Sequence, residues 1–100
     1  MKLLYAEDER GLSEAVVDIL TYHKYIVDAV YDGAEALAFA QNEQYDGIIL
    51  DIMMPKLSGL EVLRRLRSEG CRTPILLLTA KGEVAVSYTH LDVYKRQVLP

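Results

Sequence analysis

The hydrophobic residues gather in four short runs, each of which stops on a polar group. Leu3, Leu4, Tyr5 and Ala6 run into Glu7-Asp8-Glu9, and Ile26, Val27, Ala29 and Val30 run towards the turn pair Asp32-Gly33. Ile48, Ile49 and Leu50 stop on Asp51, and Ile75, Leu76, Leu77 and Leu78 stop on Thr79. Runs of this length, β-branched or bulky with little polar alternation, predict strands buried on both faces, as parallel strands between helices are. The second run carries Asp28 in its middle, which suits a sheet edge.

Between the runs the period changes to that of a helix. Leu12, Ala15, Val16, Ile19 and Leu20 recur at helical spacing with Glu14 and Asp18 opposite, predicting an amphipathic helix that starts from the acid cluster rather than from Ser13. Ala34, Leu37, Ala38 and residues 39–41 predict a short, alanine-rich second helix that ends across residues 42–46. Ser58, with Glu61 three positions on, forms the capping box of a third helix reaching about residue 69. Leu60, Leu63 and Leu66 are expected to face inward and Arg64, Arg65 and Arg67 outward into solvent. Gly70 is placed to close that helix in a left-handed conformation, and Pro74 is allowed at the start of a strand. Alternating strands and helices define an α/β chain built as a doubly wound parallel sheet.

Composition narrows the function. The 100 residues hold no apolar run long enough to span a membrane, and the net charge is −4 with Lys and Arg scattered along the chain. One small domain with no membrane partner and no direct nucleic-acid binding is therefore expected. The single Cys71 rules out an internal disulfide, and Cys and His are not grouped at zinc-binding spacing, in keeping with a reducing cytoplasm. Acidic residues follow too soon after the first apolar run for an export signal. His23 and His90 are given no role.

The candidate chemistry lies where strands end on oxygen. A carboxylate at the carboxyl end of a buried parallel strand, such as Asp51, sits in the crevice where open α/β sheets collect ligands. Asp at such a position also caps turns, and the stretch from Gly47 to Gly59 alone leaves both readings open. Thr79, the small Ala80 and Lys81-Gly82 bring a further hydroxyl to the same sheet edge.

Taken together, these residues resemble the receiver domain of two-component response regulators, across about residues 1–84. Glu7-Asp8 is similar to the family's acidic pair, Asp51-Ile52-Met53-Met54-Pro55 with Gly59 to its phosphoacceptor motif, and Thr79-Ala80 to its switch pair. The stretch Val62-Leu63-Arg64-Arg65-Leu66-Arg67 resembles receivers that precede a winged-helix DNA-binding domain. The resemblance implies a flavodoxin-like fold of strand order 2-1-3-4, in which strands one and three are neighbours and Glu7, Asp8 and Asp51 converge. Three adjacent carboxylates repel one another, and a bound hard cation allows all of them to stay ionised. Oxygen ligands in a wet crevice favour magnesium over zinc.

It further implies that a sensor histidine kinase passes its phosphoryl group to Asp51. Magnesium would be held by Asp8, Asp51 and the backbone carbonyl of Met53, with Glu7 acting through water and the Thr79 hydroxyl answering the new phosphoryl group. Such a module is a self-phosphorylating switch for an output domain, expected to control transcription, that this chain lacks; it is not a turnover enzyme. Two rivals remain. A pseudo-receiver would use the same fold only to bind proteins. A magnesium-dependent aspartyl-phosphate phosphatase would need a second acid two residues after Asp51, where Met53 stands.

From about Ala85 the chain no longer resembles the family. Residues 1–85 are read as a partial receiver and residues 86–100 as a non-family tail of translated adapter or vector. The family's fifth strand, with its lysine, and fifth helix are therefore expected to be lacking and the dimerisation surface incomplete. Apolar side chains on one sheet face, and the edge of the fourth strand, are expected to lie open.

Overall fold

The computed structural model describes residues 1–79, 83–87 and 94–97. The first three predicted strands form as β1 (Lys2–Ala6), β2 (Ile26–Val30) and β3 (Gly47–Asp51), and the fourth as β4 (Ile75–Leu78), so that Thr79 lies one residue beyond its strand. The helices are α1 (Arg10–Tyr22), α2 (Gly33–Asn42) and α3 (Gly59–Ser68). Two further strands follow, β5 (Glu83–Ser87) and β6 (Tyr94–Gln97). They make one sheet of order β2-β1-β3-β4-β5-β6.

Pairing is parallel from β2 to β4, then antiparallel from β4 to β5 and from β5 to β6. The parallel part is the doubly wound arrangement expected, with β2 at one edge. The edge of β4 departs from expectation: β5 pairs along it and satisfies the backbone groups that would otherwise face solvent. A parallel fifth strand and a fifth helix are not among the described elements.

The helix ends are set by local sequence. Glu9, Asp32 and Ser58 each accept backbone N–H groups at the starts of α1, α2 and α3, and the Ser58–Glu61 capping box is complete. At the other end of α3, Gly70 adopts φ 88° and its N–H donates to the Arg67 carbonyl while that of Cys71 donates to Leu66, a Schellman closure.

The main core lies on one face of the sheet, where Leu4, Ala6, Ile48, Leu50, Ile75 and Leu77 pack under Ala36 and Leu37 of α2 and Val62, Leu63 and Leu66 of α3. The chain reverses its winding direction between β2 and β3, so α1 lies on the opposite face. Leu3 and Tyr5 are buried on that side and Ile49, Leu76 and Leu78 are half-buried, so these side chains are less open than expected.

Two sequence expectations are corrected. In α1 the stripe turned to the sheet is Ser13, Val16, Val17 and Leu20, whereas Leu12 and Ile19 are exposed; the apolar face is wider than the surface that covers it. Arg67 is buried rather than solvated, because it lies one helical turn beyond Leu63 and on the same inward face. Its guanidinium donates to the Ser87 hydroxyl and carbonyl and to the Cys71 carbonyl, tying α3 to β5.

Candidate phosphoacceptor and metal site

Parallel register brings the acids together. Ala6 pairs with Leu50, so the next residues, Glu7 and Asp51, leave the sheet at the same level on adjacent strands. The Glu7 N–H donates to the Val30 carbonyl, which continues the β1–β2 ladder one step and buries the Glu7 side chain. Asp8 is exposed and Asp51 half-buried, and one carboxylate oxygen from each of the three residues lies within 4.8 Å of the others.

Burial, the charge of Asp51 and the proximity of Asp8 hold the Glu7 carboxyl above its usual range, although the Glu9 N–H donates to it and pulls the other way. The buried Tyr5 phenol is pushed up to about 12 by burial and by the charges of Glu7, Asp51 and Glu9. Tyr5 is therefore a neutral group within the field of the acids. Hard oxygen donors in this number and spacing fit a small divalent cation.

The loop after Asp51 is shaped by backbone contacts. The Met53 N–H donates to Asp51 Oδ1 at 3.3 Å, while the Met53 side chain is exposed. The Gly59 N–H donates to the Ile52 carbonyl at 2.9 Å, and a Cβ on residue 59 would lie 2.4 Å from the Asp51 carbonyl oxygen. An open depression of about 470 Å³ beside Asp8 is lined by Ile52, Met53, Met54, Pro55, Lys56, Ser58 and Glu61.

On the far side, Asp51 pairs with Leu78 and the Ile52 N–H donates to the Leu78 carbonyl, so Thr79 follows directly on the strand beside Asp51 and is half-buried. Ala80 lies outside the described residues. Local sequence does not mark three of the contributors. Tyr5 reads only as a strand residue, and Asp32 and Gly33 only as a turn, although Asp32 and Gly33 grip the loop that carries Met53. Gly59 is expected as part of the phosphoacceptor-like motif, but its closeness to Asp51 is a tertiary contact that local sequence does not signal.

Comparison with known proteins identifies the family. The model of the response regulator receiver domain matches residues 3–99, and the chain belongs to that family. It is 43% identical over 93 residues to the transcriptional regulatory protein DltR of Streptococcus agalactiae, covering 93% of this chain and 42% of that protein. To the response regulator MprA of Mycobacterium avium it is 40% identical over 100 residues, covering 100% of this chain and 44% of that protein. The chain thus spans less than half the length of these relatives. Among solved structures, the response regulator TrrA of Thermotoga maritima in complex with Mg²⁺ and BeF superposes with a TM-score of 0.75 at 38% identity, over 79% of this chain and 69% of that one. The fold is that of receiver domains, which are signalling modules, and among the described residues no helix is long and apolar enough to cross a membrane.

Proposed function

We propose that this chain is the phosphoacceptor module of a two-component system, and that Asp51 takes a phosphoryl group from a phosphohistidine on a sensor kinase. The observation that carries this reading is the meeting of the Glu7, Asp8 and Asp51 carboxylates at the carboxyl edge of β1 and β3. An Asp51 carboxylate oxygen attacks phosphorus, the phosphorus–nitrogen bond breaks, and its electron pair leaves on the imidazole. The Met53 N–H fixes the rotamer of Asp51, and Glu7, buried and hydrogen-bonded by Glu9, sets the back wall of the site.

Asp8, Asp51 and the Met53 carbonyl would hold magnesium, with Glu7 acting through water. Magnesium, when bound, supplies positive charge to offset the acids and the incoming phosphoryl oxygens. The Thr79 hydroxyl, next to the strand end that pairs with Asp51, is assigned to the new phosphoryl group, and Ala80 is the second member of the switch pair. The output domain belongs to the part of the relatives' length that this chain does not span, and the site of action is the cytoplasm. We read residues 1–85 as the receiver portion and residues 86–100 as a tail, although the family model itself runs on to residue 99.

Incubation with acetyl phosphate and magnesium, followed by intact-protein mass spectrometry, tests the assignment. The chain is expected to gain one phosphoryl group and the Asp51→Asn variant none. Equal phosphorylation of that variant would overturn the role of Asp51.

A further inference from the structure

The loop between Asp51 and α3 contains the non-glycine residue Lys56 at φ 72°, and the Leu57 N–H donates back to the Pro55 carbonyl at 2.9 Å across it. A two-residue hydrogen bond around a left-handed residue is the rare, strained form of γ-turn. Such strain persists only where surrounding structure over-determines it.

Here the start of α2 does so. The Gly33 N–H donates at 3.1 Å to the same Pro55 carbonyl, and Asp32 Oδ2 lies 3.4 Å from the Lys56 ammonium. Residue 33 approaches so closely that a Cβ there would meet the Leu57 carbonyl oxygen at 1.9 Å. The far end of the loop is fixed by the Gly59 N–H on the Ile52 carbonyl. Met53 and Met54 are thus suspended between Asp51 and a clamp that belongs to another crossover of the sheet.

We propose that Asp32, Gly33 and Lys56 are positioning residues for the metal site: by holding the strained turn they set the backbone at Met53 against Asp51. The inference rests on the reading of Asp51 and its neighbours as a magnesium site. None of the three need touch the cation. They act through the path of residues 53–57, as outer partners of a metal site act through the ligands they orient.

Magnesium binding by the full 100-residue chain, measured by titration calorimetry with magnesium chloride alone, is the test. Gly33→Ala forces the loop away from α2 while placing a better helix former in the helix, and is expected to weaken magnesium binding about tenfold. Lys56→Gly removes the ion pair and takes the left-handed conformation without strain, and is expected to weaken binding about threefold with the melting temperature unchanged or raised. That pairing of a looser site with an equally stable fold is what a merely structural role would not produce.

Amide exchange at Leu57 should quicken in both variants. If Gly33→Ala does not fold, Lys56→Gly decides alone. Binding within about twofold of the parent in the folded variants overturns the clamp while leaving the metal site standing. Failure of the parent chain to bind magnesium overturns the reading of the site and the clamp with it.

Discussion

A methyl group on residue 59 would meet the Asp51 carbonyl oxygen at 2.4 Å and the Ile52 Cα at 3.1 Å, both of them backbone atoms that cannot swing aside. Gly59→Ala should therefore move the strand end that carries Asp51. It is expected to destabilise the chain by about 1–3 kcal/mol, the range for forcing extra atoms into a packed region. Urea denaturation measures this, and an unchanged midpoint would show that the loop yields freely. The strand end at Asp51 is legible in the sequence because an apolar run stops there, but that stretch alone leaves a turn cap and a ligand site equally open, and Glu7-Asp8 is needed beside it. Gly59 is legible only as part of the motif, since the atom it must avoid is brought near by the fold alone.

At the scale of single elements, two helices close in the same way with different residues. Both end in a Schellman motif: in α1 the Tyr25 N–H donates to the Leu20 carbonyl and the Lys24 N–H to Thr21, with Lys24 at φ 74° where α3 has Gly70 at φ 88°. A lysine in the left-handed region is strained and glycine is not. Lys24→Gly is accordingly expected to raise stability by about 0.5–1 kcal/mol, less than the full relief because the unfolded chain gains freedom. A lower melting temperature would mean that the Lys24 side chain stabilises the turn by more than its strain costs.

The start of α2 carries a pH dependence. The Glu35 N–H donates to the Asp32 carboxylate, which with the Lys56 ammonium nearby holds that carboxyl below the usual range. A carboxyl whose pKa is lowered by folding stabilises the fold above its unfolded value and loses that contribution as pH falls through the lower folded value. Asp32→Asn keeps a good cap without the charge. The stability gap between the parent and this variant should be largest near neutral pH and close as pH falls below the ordinary aspartate range and through the parent's lowered folded value. Thermal melts across that range test it, and a gap that does not vary with pH would show that the charge contributes nothing. The boundaries of α2 were readable from Asp32-Gly33 and the alanine-rich run. Its hold on the loop beyond Asp51 was not, because that contact joins segments over twenty positions apart in a sequence whose local pattern marks only a turn.

Across the whole molecule, the sheet is covered unequally, with a packed core under α2 and α3 and half-buried side chains around α1. The parallel half of the sheet could be read from alternating strand and helix patterns. The antiparallel half could not, because the residues of β5 and β6 show neither a buried-strand run nor a turn signal that fixes their direction. What joins the two halves beyond the β4–β5 ladder is Arg67, which reaches from the buried side of α3 to the Ser87 hydroxyl and carbonyl at the end of β5. Burial lowers the pKa of its guanidinium, so the charge is held at a cost that these hydrogen bonds offset. Arg67→Ala would leave the Ser87 and Cys71 acceptors without this donor, and about 1–3 kcal/mol of stability should be lost. The loss should be local. Hydrogen exchange is expected to show β5 amides opening faster while β1 and β3 keep their protection, because those strands lie between other strands and share no hydrogen bond with Arg67. Uniform loss of protection across all strands would instead mean that β5 is part of the same cooperative unit as the parallel sheet, and that the pairing along β4 is needed for the acidic site to form.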